Sequence, residues 1–236
     1  MAISRSKALR VESRSMTTTM TARMDVKTLF GQLPTSQNVE EYISSLYSLA
    51  NASSDDKAQV KAYPDAVFVN YHTLGCSIEY RPTNGYKPSS NVQAITDLQT
   101  NNLALDKVDL YNSTYDDDES NTAEKTKSKT APAFARYPGL PLVITFSHES
   151  KSISVTTEST GKDFVAALGE PDRKGGGAGP SSGSINIWCE WTKEGVMVEF
   201  GGRDARGPQA WDKGKDAKWK VISVYPPPPP PSPSSK

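Results

Sequence analysis

Two glutamates stand out as residues that could do chemistry. Glu79 and Glu199 occupy matching places in two similar stretches, YHTLGCSIEY (Tyr71 to Tyr80) and WTKEGVMVEF (Trp191 to Phe200). Each stretch reads aromatic, three residues, Gly, two residues, β-branched aliphatic, Glu, aromatic. If the carboxylates converged, they could share general acid and general base work. Strand alternation gives a plainer reading. Ile78 and Tyr80 flank Glu79 on the opposite face, which turns each Glu toward solvent or toward a cross-strand Lys or Arg. Cys76 beside His72 suggests a thiol nucleophile and its base, yet no third group is recognisable that would orient the imidazole. His148, the other histidine, lies in no ligand or triad pattern, and Cys76 and Cys189 lack the paired spacing of a zinc site. These residues therefore yield no catalytic assignment, no metal ligand and no cofactor.

Two further stretches invite chemical readings and fail them. RKGGGAGPSSGS (Arg173 to Ser184) is rich in glycine like a phosphate-binding loop, but it has no Gly-Lys-Ser/Thr ending and no helix follows it. A flexible connector is expected. Asp116, Asp117, Asp118 and Glu119 lack the spaced oxygen ligands and turn glycine of a calcium loop, and with Lys125, Lys127 and Lys129 they read as a solvated linker.

Aromatic residues are more informative. Trp188, Trp191, Trp211 and Trp219 all fall in the second half of the chain. Alternation places Trp188 on the face opposite Ile187 and Trp191, so a tryptophan exposed on a sheet is expected there, a typical anchor for a partner. Trp188, Trp191, Trp211, Glu199 and Glu79 are the candidate binding residues.

The elements that must position them follow from periodicity. VEEYISSLYSLA (Val39 to Ala50) has helical spacing, with Asn38 as the expected cap. Val67, Val69 and Tyr71, then Cys76, Ile78 and Tyr80, alternate as two strands joined at Thr73 to Gly75. Lys107 to Tyr111 is a third strand. After the linker, Leu140 to Phe146 and Ser152 to Thr156 read as paired strands. In TGKDFVAALGEPD, Thr160 caps a helix with Asp163 three residues on, Gly169 ends it and Pro171 forbids continuation. Ile185 to Trp191 and Gly195 to Phe200 form a second hairpin, and WKVISVY a last strand in which Lys220-Val221 answers Lys107-Val108.

The expected fold is α+β, two tandem units of a helix and a three-stranded antiparallel meander, with helices on one face of each sheet. The expected divisions are a disordered or targeting extension (1–24), a first unit (25–112), a linker (113–136), a second unit (137–225) and a polyproline tail (226–236). The helix motif Thr160 to Pro171 resembles that of the SmpA/OmlA lipoproteins and the β-lactamase inhibitory protein superfamily. That resemblance implies a tandem of helix-plus-meander units with a protein-binding sheet, and it brings no catalytic residue.

Composition narrows the function. Lys plus Arg and Asp plus Glu both number 27, so there is no even basic field for nucleic acid. No run of 18 apolar residues provides a membrane-spanning helix. Residues 1–24 carry Arg5, Lys7, Arg10, Arg14 and Arg23 against Glu12 amid Ser and Thr, a transit-peptide composition. A cytoplasmic location is expected, with the mitochondrion as alternative. The six consecutive prolines of the tail form a polyproline II rod suited to a profilin, SH3 or WW type groove. The expected function is a soluble, non-enzymatic protein-interaction module that binds through the aromatic sheet of the second unit and through the tail. The alternative is a small-molecule-binding or hydrolytic enzyme with its site between the units, using Glu79, Glu199 and His72.

Overall fold

A computed structural model describes residues 25–113, 132–145, 152–178 and 184–229. The basic N-terminal extension, the acid and lysine runs of the linker, His148 and the end of the proline tail lie outside the described residues. Helix α1 (Gln37–Ala50) forms where the periodicity predicts and buries Val39, Tyr42, Ile43 and Leu46. Its N-cap is Ser36 rather than Asn38, and Asn51 ends it in the left-handed region at φ 51°.

The strands build one eight-stranded antiparallel sheet instead of two separate meanders. β1 (Gln59–Ala62), β2 (Val67–Tyr71), β3 (Cys76–Pro82) and β4 (Leu103–Tyr111) follow α1. β7 (Arg173–Ala178), β8 (Ser184–Trp191), β9 (Val196–Phe200) and β10 (Trp219–Val224) follow helix α2 (Gly161–Leu168). The order is β1-β2-β3-β4-β10-β9-β8-β7, so the last strands of the two halves pair with each other. Each strand thereby satisfies a backbone edge that would otherwise face water. β5 (Leu142–Thr145) and β6 (Ser152–Val155) form a separate two-stranded sheet, paired as the sequence predicts.

The junction corrects one correspondence. Val108 pairs with Val224 and Leu110 with Ile222. All four are buried, whereas Val221 faces the other way and pairs with Tyr111. Val108 pairs with Ile78 of β3 and Ile222 with Val198 of β9, while Val221 pairs with Glu199 as Lys107 pairs with Glu79, so by register Val108 matches Ile222 rather than Val221. Asp109 pairs with Ser223 at the centre of the junction.

The two hairpins share their turn geometry. Gly75 (φ 57°) and Gly195 (φ 64°) take left-handed conformations that glycine adopts without a steric penalty. Tyr111 N–H donates to the Gly75 carbonyl and Tyr225 N–H to the Gly195 carbonyl, both at 2.9 Å. At each turn a further segment crosses close by. A Cβ on Gly75 would lie 2.3 Å from the Ala135 carbonyl oxygen, and one on Gly195 would lie 2.0 Å from that of Tyr225. Residues 132–136, assigned by sequence to the linker, thus pack onto the first half, where Ala135 N–H donates to the His72 carbonyl at 2.7 Å.

One hydrophobic cluster runs through both halves. It lies between the helix-bearing face of the sheet and α1, α2, β5 and β6. Phe164 of α2 packs against Trp191 and Phe200. The cap of α2 is formed by Thr160 N–H donating to Asp163 Oδ2 at 2.8 Å.

The glycine-rich connector is also corrected. Arg173–Ala178 is strand β7 at the sheet edge, paired with β8. Trp188 lies across Gly175, where a Cβ would sit 2.6 Å from its ring, and a bulge separates Gly175 from Gly177. Missing side chains here make room for the indole, a reason for glycine that differs from flexibility.

Candidate interaction surface

Alternation leaves the second face of the sheet free of helices among the described residues. One register row crosses all eight strands on this face: Gln59, Asn70, Ser77, Asp109, Ser223, Met197, Glu190 and Arg173. Nearly every member is polar, and neighbours along the row pair. Ser77 Oγ donates to Asn70 Oδ1 at 2.7 Å, and Ser223 Oγ to Asp109 Oδ1 at 2.6 Å. Arg173 Nη1 lies 3.0 Å from Glu190 Oε2, whose other oxygen accepts from the Tyr225 hydroxyl at 2.7 Å.

Beside this row lies a second, Tyr111, Val221, Glu199, Trp188 and Gly175. Phe134 stacks on Tyr111 with centroids 3.8 Å apart and planes 2° apart. Aromatic rings thus stand at both ends of this row. Glu199 Oε1 accepts from Asn186 Nδ2 at 2.6 Å, and Asn186 in turn accepts from Arg206.

On the other side of the central row, Lys107 Nζ sits 2.7 Å from Glu79 Oε2 and 3.9 Å from Asp109 Oδ2. Desolvation would lower the Lys107 pKa, but Asp109, Glu79 and Asp106 outweigh it and hold the ammonium above its ordinary value. Asp109 moves upward because the cost of burying its charge exceeds the help from Lys107 and Ser223. A groove of about 370 Å³ opens here, lined by Glu79, Asp106, Lys107, Glu190, Tyr225 and Pro226 among others. Three carboxylates and one ammonium line it; Lys107 pairs with Glu79, while Glu190 and Asp106 pair with Arg173 and Arg81, which are not part of the lining.

Of the five candidate residues, Trp188, Glu199 and Glu79 lie on this face. Trp191 does not. It is 3% exposed and donates its Nε1–H to the Gly169 carbonyl at 2.9 Å, tying α2 to the sheet as a core residue. Trp211 is 43% exposed but stands on the opposite, helix-bearing side. Parity separates Trp191 from Trp188, while Trp211 sits in a short helix, α3 (Ala210–Lys213), that periodicity did not reveal. Asp109, Tyr111, Ser223 and Tyr225 were missed. The end of WKVISVY, matched in phase with KVDLY, carries the signal that would have found them.

The proposed catalytic set does not gather. Between Glu79 on β3 and Glu199 on β9 lie β4 and β10, three strand spacings or roughly 14 Å. Each carboxylate also has its own partner. His72 rests in the β2–β3 turn, with Nε2 3.4 Å from Gln59 Oε1 and the ring against Phe134. Burial, with help from Lys61, lowers its pKa. Cys76 is fully buried, and desolvation raises its thiol pKa far above the ordinary value, which disfavours the thiolate. Cys76 and Cys189 are free cysteines on β3 and β8, four strand spacings apart. Among the described residues no group of three His, Cys, Asp or Glu side chains could hold a metal ion, and no helix is long and apolar enough to cross a membrane.

Comparison with known proteins finds no matching family model, no matching curated protein and no matching solved structure.

Proposed function

We propose that the chain is a non-enzymatic protein-interaction module in which a helix-plus-antiparallel-sheet unit is used twice, joined through β4 and β10. Its open face binds a partner segment that brings a cationic side chain to the carboxylate groove and an apolar side chain to Trp188. The observation that carries this reading is the polar row spanning all eight strands, flanked by the acidic groove and the Tyr111, Phe134 and Trp188 rings. A desolvated core is usually apolar, so buried hydroxyls, amides and carboxylates paired in a line along one open face suit recognition better than packing. On this reading, the resemblance of Thr160 to Pro171 to the SmpA/OmlA and β-lactamase inhibitory protein helix extends to a whole unit present in both halves.

The tail supplies a second contact. Pro226 lines the groove, and Pro226 to Pro229 are exposed, so a profilin, SH3 or WW type domain on the rod would sit beside a partner on the sheet. Two adjacent sites raise effective concentration without new contacts.

The test is affinity capture with cross-link mapping, comparing the full chain with Trp188→Ala, Glu190→Lys and a chain ending at Tyr225. Loss of a partner cross-linked to Lys107 on changing Trp188 or Glu190 supports the sheet. Partners unchanged by all three would remove the proposal. The enzymatic alternative, a site between the halves, has less support because Glu79, Glu199 and His72 stand apart.

A further inference from the structure

The helix-bearing side of the second half contains a cavity of about 420 Å³, within the range of roughly 300–1,000 Å³ that small-molecule sites occupy. It lies inside one half, away from the open face. The sheet supplies an apolar floor of Ile187, Cys189 and Phe200; Val165 and Ala166 of α2 form one wall and Trp211 of α3 another. α2 is short, and Phe164 is the one large side chain it buries fully, so residues 210–215 complete the cover over Ile187, Cys189 and Phe200, which are buried, and the space lies between the two covers.

The start of α2 touches the turn after α3, since a Cβ on Gly161 would lie 2.9 Å from the Gly214 carbonyl oxygen. On Gly214 a Cβ would lie 2.1 Å from Ile187 Cδ1. These two glycines let the elements come into contact at one end of the cavity.

Charge at the rim is uneven. Lys162, Lys174 and Lys215 line the cavity against one carboxylate, Glu170. Asp216 lies 3.1 Å from Lys162 and takes up that ammonium. Lys174 Nζ lies 5.5 Å over the Trp211 ring, and among the described residues no carboxylate forms an ion pair with it. Lys215 has no ion pair among the described residues. Burial, the largest influence, pushes the Cys189 thiol up to about 11 despite Lys174, so the floor stays neutral. An apolar floor beneath a cationic rim matches a molecule with an apolar body and one anionic end. A polyanion would find no donors on the floor.

We propose that this cavity binds a small amphipathic carboxylate, its apolar body on Ile187, Cys189 and Phe200 and its carboxylate at the rim beside Lys174 and Lys215. The body could be an alkyl chain or an aromatic ring, and the probes distinguish them: decanoate, kept below its micellar concentration, and 2-naphthylacetate, with decanol as the neutral control. Binding is read by calorimetry and by slowed labelling of Cys189, which is buried but 7% exposed, with the 0% exposed Cys76 as internal reference.

Either acid should bind the intact protein and shield Cys189, and the tighter of the two names the body. Lys174→Glu with Lys215→Glu should weaken the acid at least about tenfold and leave decanol within about twofold. Ala166→Trp should abolish binding of both. These three positions are exposed, so the variants retain the fold, which thermal unfolding checks. No binding of either acid below millimolar concentration, equal loss of decanol and acid on charge reversal, or undiminished binding after Ala166→Trp would each overturn the proposal.

Discussion

The halves of the sheet agree at their turns and differ in their cover. Gly75 and Gly195 sit at corresponding hairpin turns, and Tyr111 and Tyr225 donate to them in the same way. Above the first half lies the 14-residue α1 with Val39, Tyr42, Ile43 and Leu46 buried. Above the second lies the eight-residue α2 with Phe164, and further cover comes from residues 201–218, including buried Ala205, Ala210 and Ala217, with β5 and β6 also facing the core. Backbone sterics leave a tight turn few solutions, so the turns coincide. Burial of an apolar face has many solutions, so a long helix and a short helix with a loop both serve, and the second leaves the cavity.

The strongest test of this contrast is truncation of the cover. Phe164→Ala should cost about 3–5 kcal/mol in urea unfolding, because it enlarges a space that is already partly empty. Leu46→Ala should cost about 2–4 kcal/mol, since Val39, Tyr42 and Ile43 share its load. If Leu46 proved the costlier, the second half would not depend on a single anchor.

Next is the junction. Ile222→Ala, in the second half's strand that pairs with β4, should lower stability by about 2–4 kcal/mol while fluorescence and circular dichroism still report one coincident transition. Two transitions would show halves that fold independently and would break the comparison at its root.

Gly75→Ala and Gly195→Ala should each cost more than about 1–2 kcal/mol, the penalty of a left-handed residue, because the new Cβ also meets a crossing backbone. Similar losses sharpen the correspondence between the turns; a large loss at one alone would limit it. Trp188→Ala should change stability by only roughly 0.5–1 kcal/mol, as befits a half-buried surface residue, while removing the sheet partner.

The smallest effect concerns pH. The Asp109 pKa is raised in the folded protein, chiefly by desolvation. The folded state therefore holds this proton more tightly than the unfolded state. Stability from this group is present below the ordinary carboxylate value of about 3.9 and falls as pH rises through the folded pKa. Asp109→Asn removes the titration, so its stability relative to the native protein should climb across that window and then level. A difference that does not vary with pH would show that Asp109 is not desolvated at the junction.

Local signals carried much of this architecture. Thr160, Asp163, Gly169 and Pro171 delimit α2, because capping and helix termination are settled within a few residues. Alternation in Val67 to Tyr80 and Ile185 to Phe200 marks the hairpins and turns Trp188 away from Trp191, since side-chain parity is a property of the strand itself. Other features were hidden. β1 lay in a polar stretch, and β7 read as a loop because its glycines answer to Trp188, a residue on another strand.

The amino-acid sequence by itself determined two helices, two hairpins, the glycines at their turns and the face on which the residues of those hairpins stand. Only the tertiary structure decided that β4 pairs with β10, that Val108 corresponds to Ile222, that Glu79 and Glu199 stand apart, and that Trp211 walls a cavity while Trp188 lies on the open face. The physical reason is range. Helix caps, turns and alternation are fixed by neighbours along the chain, whereas pairing between distant strands uses backbone groups that every residue shares and is chosen by how the apolar faces pack together.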